Sequence, residues 1–369
     1  MANNDRVFRF PTVEETLNHP AYPSTIWDLQ PDRKGMASLA KDRGGPVELS
    51  WEMHGTGPVK IMLVMGLAGA KTAWQRQTRH FGHDNGDKYT VLILDNRGIG
   101  LSDKPLARYT TSDMAQDVIE LLDHVGWTEE RSVNLVGISL GGMISQEVAC
   151  AIPSRLQSLS LLCTTASFES NKRPLDSMLD SVNMVIPKTE ERAVADTARK
   201  LFADEWLAAP DGDDLPSPKS TPRCGPSPSE AADSTAGSTA GDGDGEYLRF
   251  DSNFQRFQAQ ELMKRHTPGF FTRQGFLCQL MAAAGHRKSA SQLREMADRV
   301  GRDRILIIHG TRDRMITVTN GEKLIKMIKP AIGLIVDGMG HAPIMDRSKW
   351  FNALLEERLT VCKKIDAKI

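Results

Sequence analysis

The run Val133-Asn134-Leu135-Val136-Gly137-Ile138-Ser139-Leu140-Gly141-Gly142 decides how this chain reads. An apolar stretch ends in Gly-x-Ser-x-Gly, and Met143 to Ile152 continues as a helical pattern stopped by Pro153. A serine between such a strand and such a helix sits on a sharp, strained turn that lifts its hydroxyl into a cleft. The flanking glycines give the turn room, because a side chain at either position would crowd the neighbouring helix or strand. Ser139 is therefore the candidate nucleophile.

The same texture extends on both sides of this run. Glu48 to Met53 alternates in polarity, and Lys60 to Met65 and Tyr89 to Leu94 are short apolar runs. Separated by helix-length segments, they read as buried parallel strands of a doubly wound sheet. Between them, Met114, Val118, Leu121, Leu122 and Val125 recur at helical steps behind Ser112, the expected cap. Leu156 to Cys163 is a further strand. Arg304 to Gly310 and Ala331 to Val336 resume the strands, with helices over Asn320 to Ile328 and Ser348 to Cys362.

From Thr164 to Val300 the pattern is helical wherever it is periodic, at Leu175 to Val185, Thr189 to Trp206 and Gln274 to Ala284. The expected organisation is an amino-terminal extension over 1–46, an α/β core over 47–163 and 301–369, and a helical insertion over 164–300. The insertion is expected to cover the carboxyl ends of the strands, where open α/β sheets bind ligands. Within it, Pro210 to Gly245 is dominated by Pro, Gly, Ser, Thr, Ala and Asp, with seven carboxylates against Lys219 and Arg223. Such a segment is expected to be a disordered acidic loop, for lack of apolar surface to bury. It also carries Ser-Pro pairs at Ser217 and Ser227.

Composition bounds the function classes. The chain has 369 residues, 40% of them hydrophobic, and a formal net charge of -1. No basic block is present to neutralise phosphates, so nucleic acid is not an expected partner. No apolar run reaches the length of a membrane span. The five scattered cysteines have no C-x-x-C spacing, which argues against a disulfide framework and a zinc site and for a reducing compartment. Cytoplasm is the expected location, and Ala367-Lys368-Ile369 only loosely resembles the peroxisomal Ser-Lys-Leu address.

A serine hydroxyl needs an imidazole to take its proton, and the imidazole needs an acid to orient it. His341, in Asp337-Gly338-Met339-Gly340-His341, follows the last strand on a glycine-rich loop and is the candidate base. Asp313, in His309-Gly310-Thr311-Arg312-Asp313, leaves the preceding strand and is the candidate acid. The competing position, the end of Leu156 to Cys163, offers no carboxylate before Glu169. His309 reads as packed, and His80 and His83 beside Asp84 lack further metal ligands.

Gly137-Ile138-Ser139-Leu140-Gly141-Gly142, Gly310-Thr311-Arg312-Asp313, Gly340-His341 and the turn Asp95 to Ser102 together resemble the α/β-hydrolase family with a serine nucleophile. The similarity covers roughly Val47 to Leu162 and Asp303 to Leu359, and is greatest to esterases, lactonases and cofactor-free perhydrolases. Dehalogenases and epoxide hydrolases of this fold carry an aspartate at the elbow, and Ser139 speaks against them. The resemblance implies a mostly parallel, doubly wound sheet with an inserted helical lid, acting on an ester, thioester or lactone of a small apolar substrate without cofactor or metal. Family members that act as small-molecule receptors or acyltransferases are the alternatives. The Leu140 amide, at a helix start, is the expected oxyanion donor. Met65-Gly66-Leu67 stands where the family has His-Gly and a second donor, so Leu67 takes that role by resemblance. Trp74, His286 and Met339 are candidate pocket residues.

Overall fold

The computed structural model describes residues 9–167, 188–228 and 245–366. Eight strands form one sheet: β1 (Arg33–Leu39), β2 (Val47–His54), β3 (Val59–Val64), β4 (Tyr89–Leu94), β5 (Val133–Ile138), β6 (Leu156–Leu162), β7 (Ile305–Gly310) and β8 (Ile332–Val336), in the order β1-β2-β4-β3-β5-β6-β7-β8. From β4 to β8 every neighbouring pair is parallel. Strands β4, β5 and β7 are buried along their whole length, which explains their unbroken apolar character.

Alternate residues of each strand feed two cores. On one face Met62, Val64, Leu92 and Leu94 pack under α1 (Thr111–His124) and α2 (Leu140–Ala151). On the other, Ile61, Leu63, Val91 and Ile93 meet Phe81, Phe351 and Leu355. These are the two covered faces a parallel sheet requires.

Several expectations change. Arg33–Leu39 lies in the segment read as an extension, yet it pairs along its whole length with β2 as the sheet's edge strand. Only Ala37 and Leu39 of it are buried, so it carries almost no hydrophobic signal. Strand β2 runs antiparallel to β4, not parallel. Helix α1 is capped by Thr110, not Ser112: the Thr110 hydroxyl accepts from Asp113 N while the Asp113 carboxylate accepts from Thr110 N. Thr189 to Trp206 is two helices, α3 (Glu190–Leu201) and Asp204–Ala208, broken at Phe202.

Because β6 and β7 pair directly, the chain between them is an insertion into a continuous sheet. Its described helices are α3, Asp204–Ala208, α4 (Asn253–His266), α5 (Arg273–Gly285) and α6 (Ala290–Val300). Helix α6 buries Leu293, Met296, Ala297 and Val300 in the main core, so this end of the insertion is a crossover helix of the sheet. The helix expected over Leu175 to Val185 lies outside the described residues, as does the chain end Ala367-Lys368-Ile369.

The first half of the acidic segment is packed. Asp211 Oδ2 accepts from Arg256 Nε at 2.8 Å, Asp213 Oδ1 accepts from Arg76 Nε at 2.7 Å, and all four side chains are buried. Cys224 bridges to Leu29, and Ser227 is buried. Two arginines supply the attraction that composition alone leaves out, since a buried guanidinium demands a paired carboxylate. Residues 229–244 of the segment lie outside the described residues. No helix among the described residues is long and apolar enough to cross a membrane.

Candidate active site

Ser139 sits between β5 and α2 with φ 57° and ψ -122°, a backbone conformation that L residues rarely hold and that costs on the order of 1–3 kcal/mol. The surrounding structure maintains it. Ser139 N donates to Leu162 O at 2.9 Å, and Ser139 O accepts from Gly142 N and from the Thr164 hydroxyl. Glycine is required on both sides: a Cβ on Gly137 would lie 2.3 Å from Gly141 O, and one on Gly141 would lie 2.1 Å from Val64 O. The serine itself is half-buried.

The loop after β3 closes on the serine. A Cβ on Gly66 would stand 3.0 Å from Ser139 Cβ, so the absence of a side chain lets Gly66 approach the elbow. Ala68 N donates to Gln279 Oε1 at 2.8 Å, and Lys264 Nζ donates to Ala68 O, so α5 and α4 hold the loop from the insertion side. Beneath it, buried Asp95 accepts from Lys71 N, Lys71 Nζ and Leu101 N, which gives the turn Asp95 to Ser102 its structural role. Leu140 opens α2, where first-turn N–H groups lack intrahelical partners.

Asp313 and His341 are brought together: His341 Nδ1 donates to Asp313 Oδ2 at 2.6 Å. The other oxygen, Oδ1, accepts from Met315 N and Ile316 N, both at 2.8 Å. Burial would raise the Asp313 carboxyl, but the charge of His341 and hydrogen bonds from His309 and His341 outweigh it and hold it at about 2. It is thus an acceptor at neutral pH, which fixes the His341 proton on Nδ1. His341 is anchored by its own amide, which donates to Leu201 O at 2.6 Å, and Gly340 fits under the same carbonyl. Among the described residues, the Ser139 hydroxyl has no hydrogen bond to His341. Such contacts commonly form only with substrate bound.

The three expected pocket residues are buried. Trp74 and Met339 are fully buried in the core that contains Phe81, Phe351 and Leu355. His286, 1% exposed, bonds the Thr111 hydroxyl through Nδ1 at 2.9 Å. His83 pairs with His54 and with Pro222 O, and burial lowers it to about 4. An open hollow of about 660 Å³ is lined by residues such as Arg43, Asp113 and Glu120 and contains none of the candidate site residues.

Three neighbours of the pair carry no sequence signal of their own. His309 Nε2 lies 3.2 Å from Asp313 Oδ2 and 2.7 Å from Ile316 O. Cys163, buried after β6, has its thiol pushed well up by burial and by the charges of Asp313 and Asp346. Burial also raises Asp346 to about 6, although its Oδ2 accepts from Gly340 N.

The chain belongs to the α/β-hydrolase fold family, whose pattern it matches over residues 60–348. It is 36% identical over 93 residues to 3-oxoadipate enol-lactonase 2 of Acinetobacter baylyi, covering 25% of this chain and 32% of that one. It is 30% identical over 176 residues to the dihydrolipoyllysine-residue acetyltransferase component of the acetoin cleaving system of Pseudomonas putida, covering 47% of this chain and 44% of that one. The chain spans less than half the length of either relative. A malate-bound thermophilic esterase of Thermogutta terrifontis shares the fold at TM-score 0.62 and 18% identity, over 89% of this chain and 99% of that one.

Proposed function

We propose that this chain is a serine hydrolase acting on a carboxylic ester, thioester or lactone of a small apolar substrate. The observation that carries the reading is the buried Asp313–His341 hydrogen bond, beyond the ends of β7 and β8 in the same sheet whose β5 leads into a serine held at positive φ. Ser139 Oγ attacks the carbonyl carbon as His341 Nε2 accepts its proton. The Leu67 and Leu140 amides receive the oxyanion, whose negative charge the start of α2 also favours. His341 then protonates the leaving group, and water, deprotonated by His341, releases the acyl group from Ser139. Asp313 remains ionised and holds the imidazole. Helices α3, α4 and α5 act as a lid that encloses the reaction.

Relatives named as a lactonase and as an acetyltransferase component support acyl chemistry at a carbonyl. The test is turnover over esters of graded chain length, lactones and acyl thioesters, with added alcohols and amines competing against water. Multiple turnovers to free acid sustain the proposal. Preferential transfer to an added acceptor makes the chain an acyltransferase. Stabilisation by one ligand without turnover of any substrate makes it a receptor.

A further inference from the structure

Cys163 leaves β6 at φ 46° with its side chain wholly buried. Its Sγ, a carboxylate oxygen of Asp313 and a ring nitrogen of His341 all lie within 4.8 Å of one another. Among the described residues this is the one trio of His, Cys, Asp and Glu side chains so gathered. The surroundings are electron-rich. Gly340 O lies 3.8 Å from Sγ, and Asp346, whose Oδ1 is buried without a partner, acts through its charge on both Cys163 and His341. A thiol, an imidazole and a carboxylate form a donor set suited to zinc and its softer congeners.

We infer that Cys163, Asp313 and His341 form an inhibitory site for a soft divalent cation, zinc or cadmium, which shuts off Ser139 when bound. The inference rests on the reading of His341 as the general base. On binding, Cys163 Sγ becomes a thiolate and its proton leaves to solvent. An Asp313 oxygen supplies the second ligand and His341 Nδ1 the third, and the proton that Nδ1 carried moves to Nε2. One proton is released in all, and nothing is oxidised or reduced. Thiolate and carboxylate together balance the two positive charges, so the buried unit is neutral. An imidazole protonated on Nε2 has no lone pair there for the Ser139 proton.

The probe is cadmium, added to the full chain and followed by its thiolate charge-transfer absorption, alongside zinc inhibition of ester turnover and its reversal by a chelator. Wild-type protein is expected to saturate with one cadmium whose band disappears in Cys163→Ser, the other four cysteines being unchanged. His341→Ala is expected to bind at least about 10-fold more weakly, since even outer-shell partners are worth about 10–100-fold in metal affinity. This second variant, which keeps the thiol, tests the site if Cys163→Ser fails to fold. Absence of the band from wild type, its persistence in Cys163→Ser, or unchanged affinity in His341→Ala overturns the site. A cadmium band dependent on Cys163 and His341 in a protein that turns over no acyl substrate sustains the site and removes the hydrolase reading. Normal turnover without the band removes the site alone.

Discussion

Leu201 O accepts a 2.6 Å hydrogen bond from the amide of His341. The last residue of an insertion helix thereby fixes the loop that carries the candidate base, and Lys200 O holds Arg314 N beside it. Helix α3 and the loop that carries the candidate base thus form one hydrogen-bonded unit.

Phe202 is the lever of that unit. It is fully buried and packs against Trp206 and Phe257 directly after Leu201. Phe202→Ala is expected to destabilise the protein by about 3–5 kcal/mol. In denaturant titrations the midpoint falls, and at a temperature where the variant stays folded, kcat falls more than KM changes. Unaltered kcat in the folded variant would separate the helix end from the base.

The acidic segment gives a second test. Asp213→Ala leaves buried Arg76 without its carboxylate partner, and breaking a buried pair in this way costs about 3–5 kcal/mol. A freely solvated loop would show almost no change. Equilibrium unfolding of the variant distinguishes the two.

These residues also show where sequence reading reaches its limit. Ser139, Asp313 and His341 were legible because each follows an apolar strand and a glycine, so local pattern alone locates them. Arg33–Leu39 was not, since an edge strand that is mostly solvated keeps charged residues such as Arg33 and Lys34. Asp211 and Asp213 read as solvated charge because their partners, Arg256 and Arg76, are distant in sequence. His286, Trp74 and Met339, expected at a pocket, owe their burial to long-range contacts that the local sequence does not display. Cys163 gained its neighbours only through the pairing of β6 with β7.

Asp346 gives the protein a pH signature. Its folded value of about 6 lies above the ordinary 3.8, chiefly through burial. Between those values the folded chain holds a proton that the unfolded chain has released, so this group lowers stability as pH rises through the window, and the loss persists above it. Asp346→Asn removes that loss, and its amide oxygen still accepts from Gly340 N. The variant is expected to match wild type near pH 4 and to exceed it near pH 7 by on the order of 2 kcal/mol, a few degrees in Tm. A difference independent of pH would contradict this assignment.

The central claim is that Ser139 is the nucleophile, and active-site labelling joined to turnover tests it most directly. Wild-type protein is expected to take one fluorophosphonate on Ser139 and to lose ester turnover in step. Ser139→Ala should take none and turn over its best acyl substrate about 10³-fold or more slowly, with its melting temperature largely unchanged. Near-normal turnover by a folded Ser139→Ala protein would contradict the account.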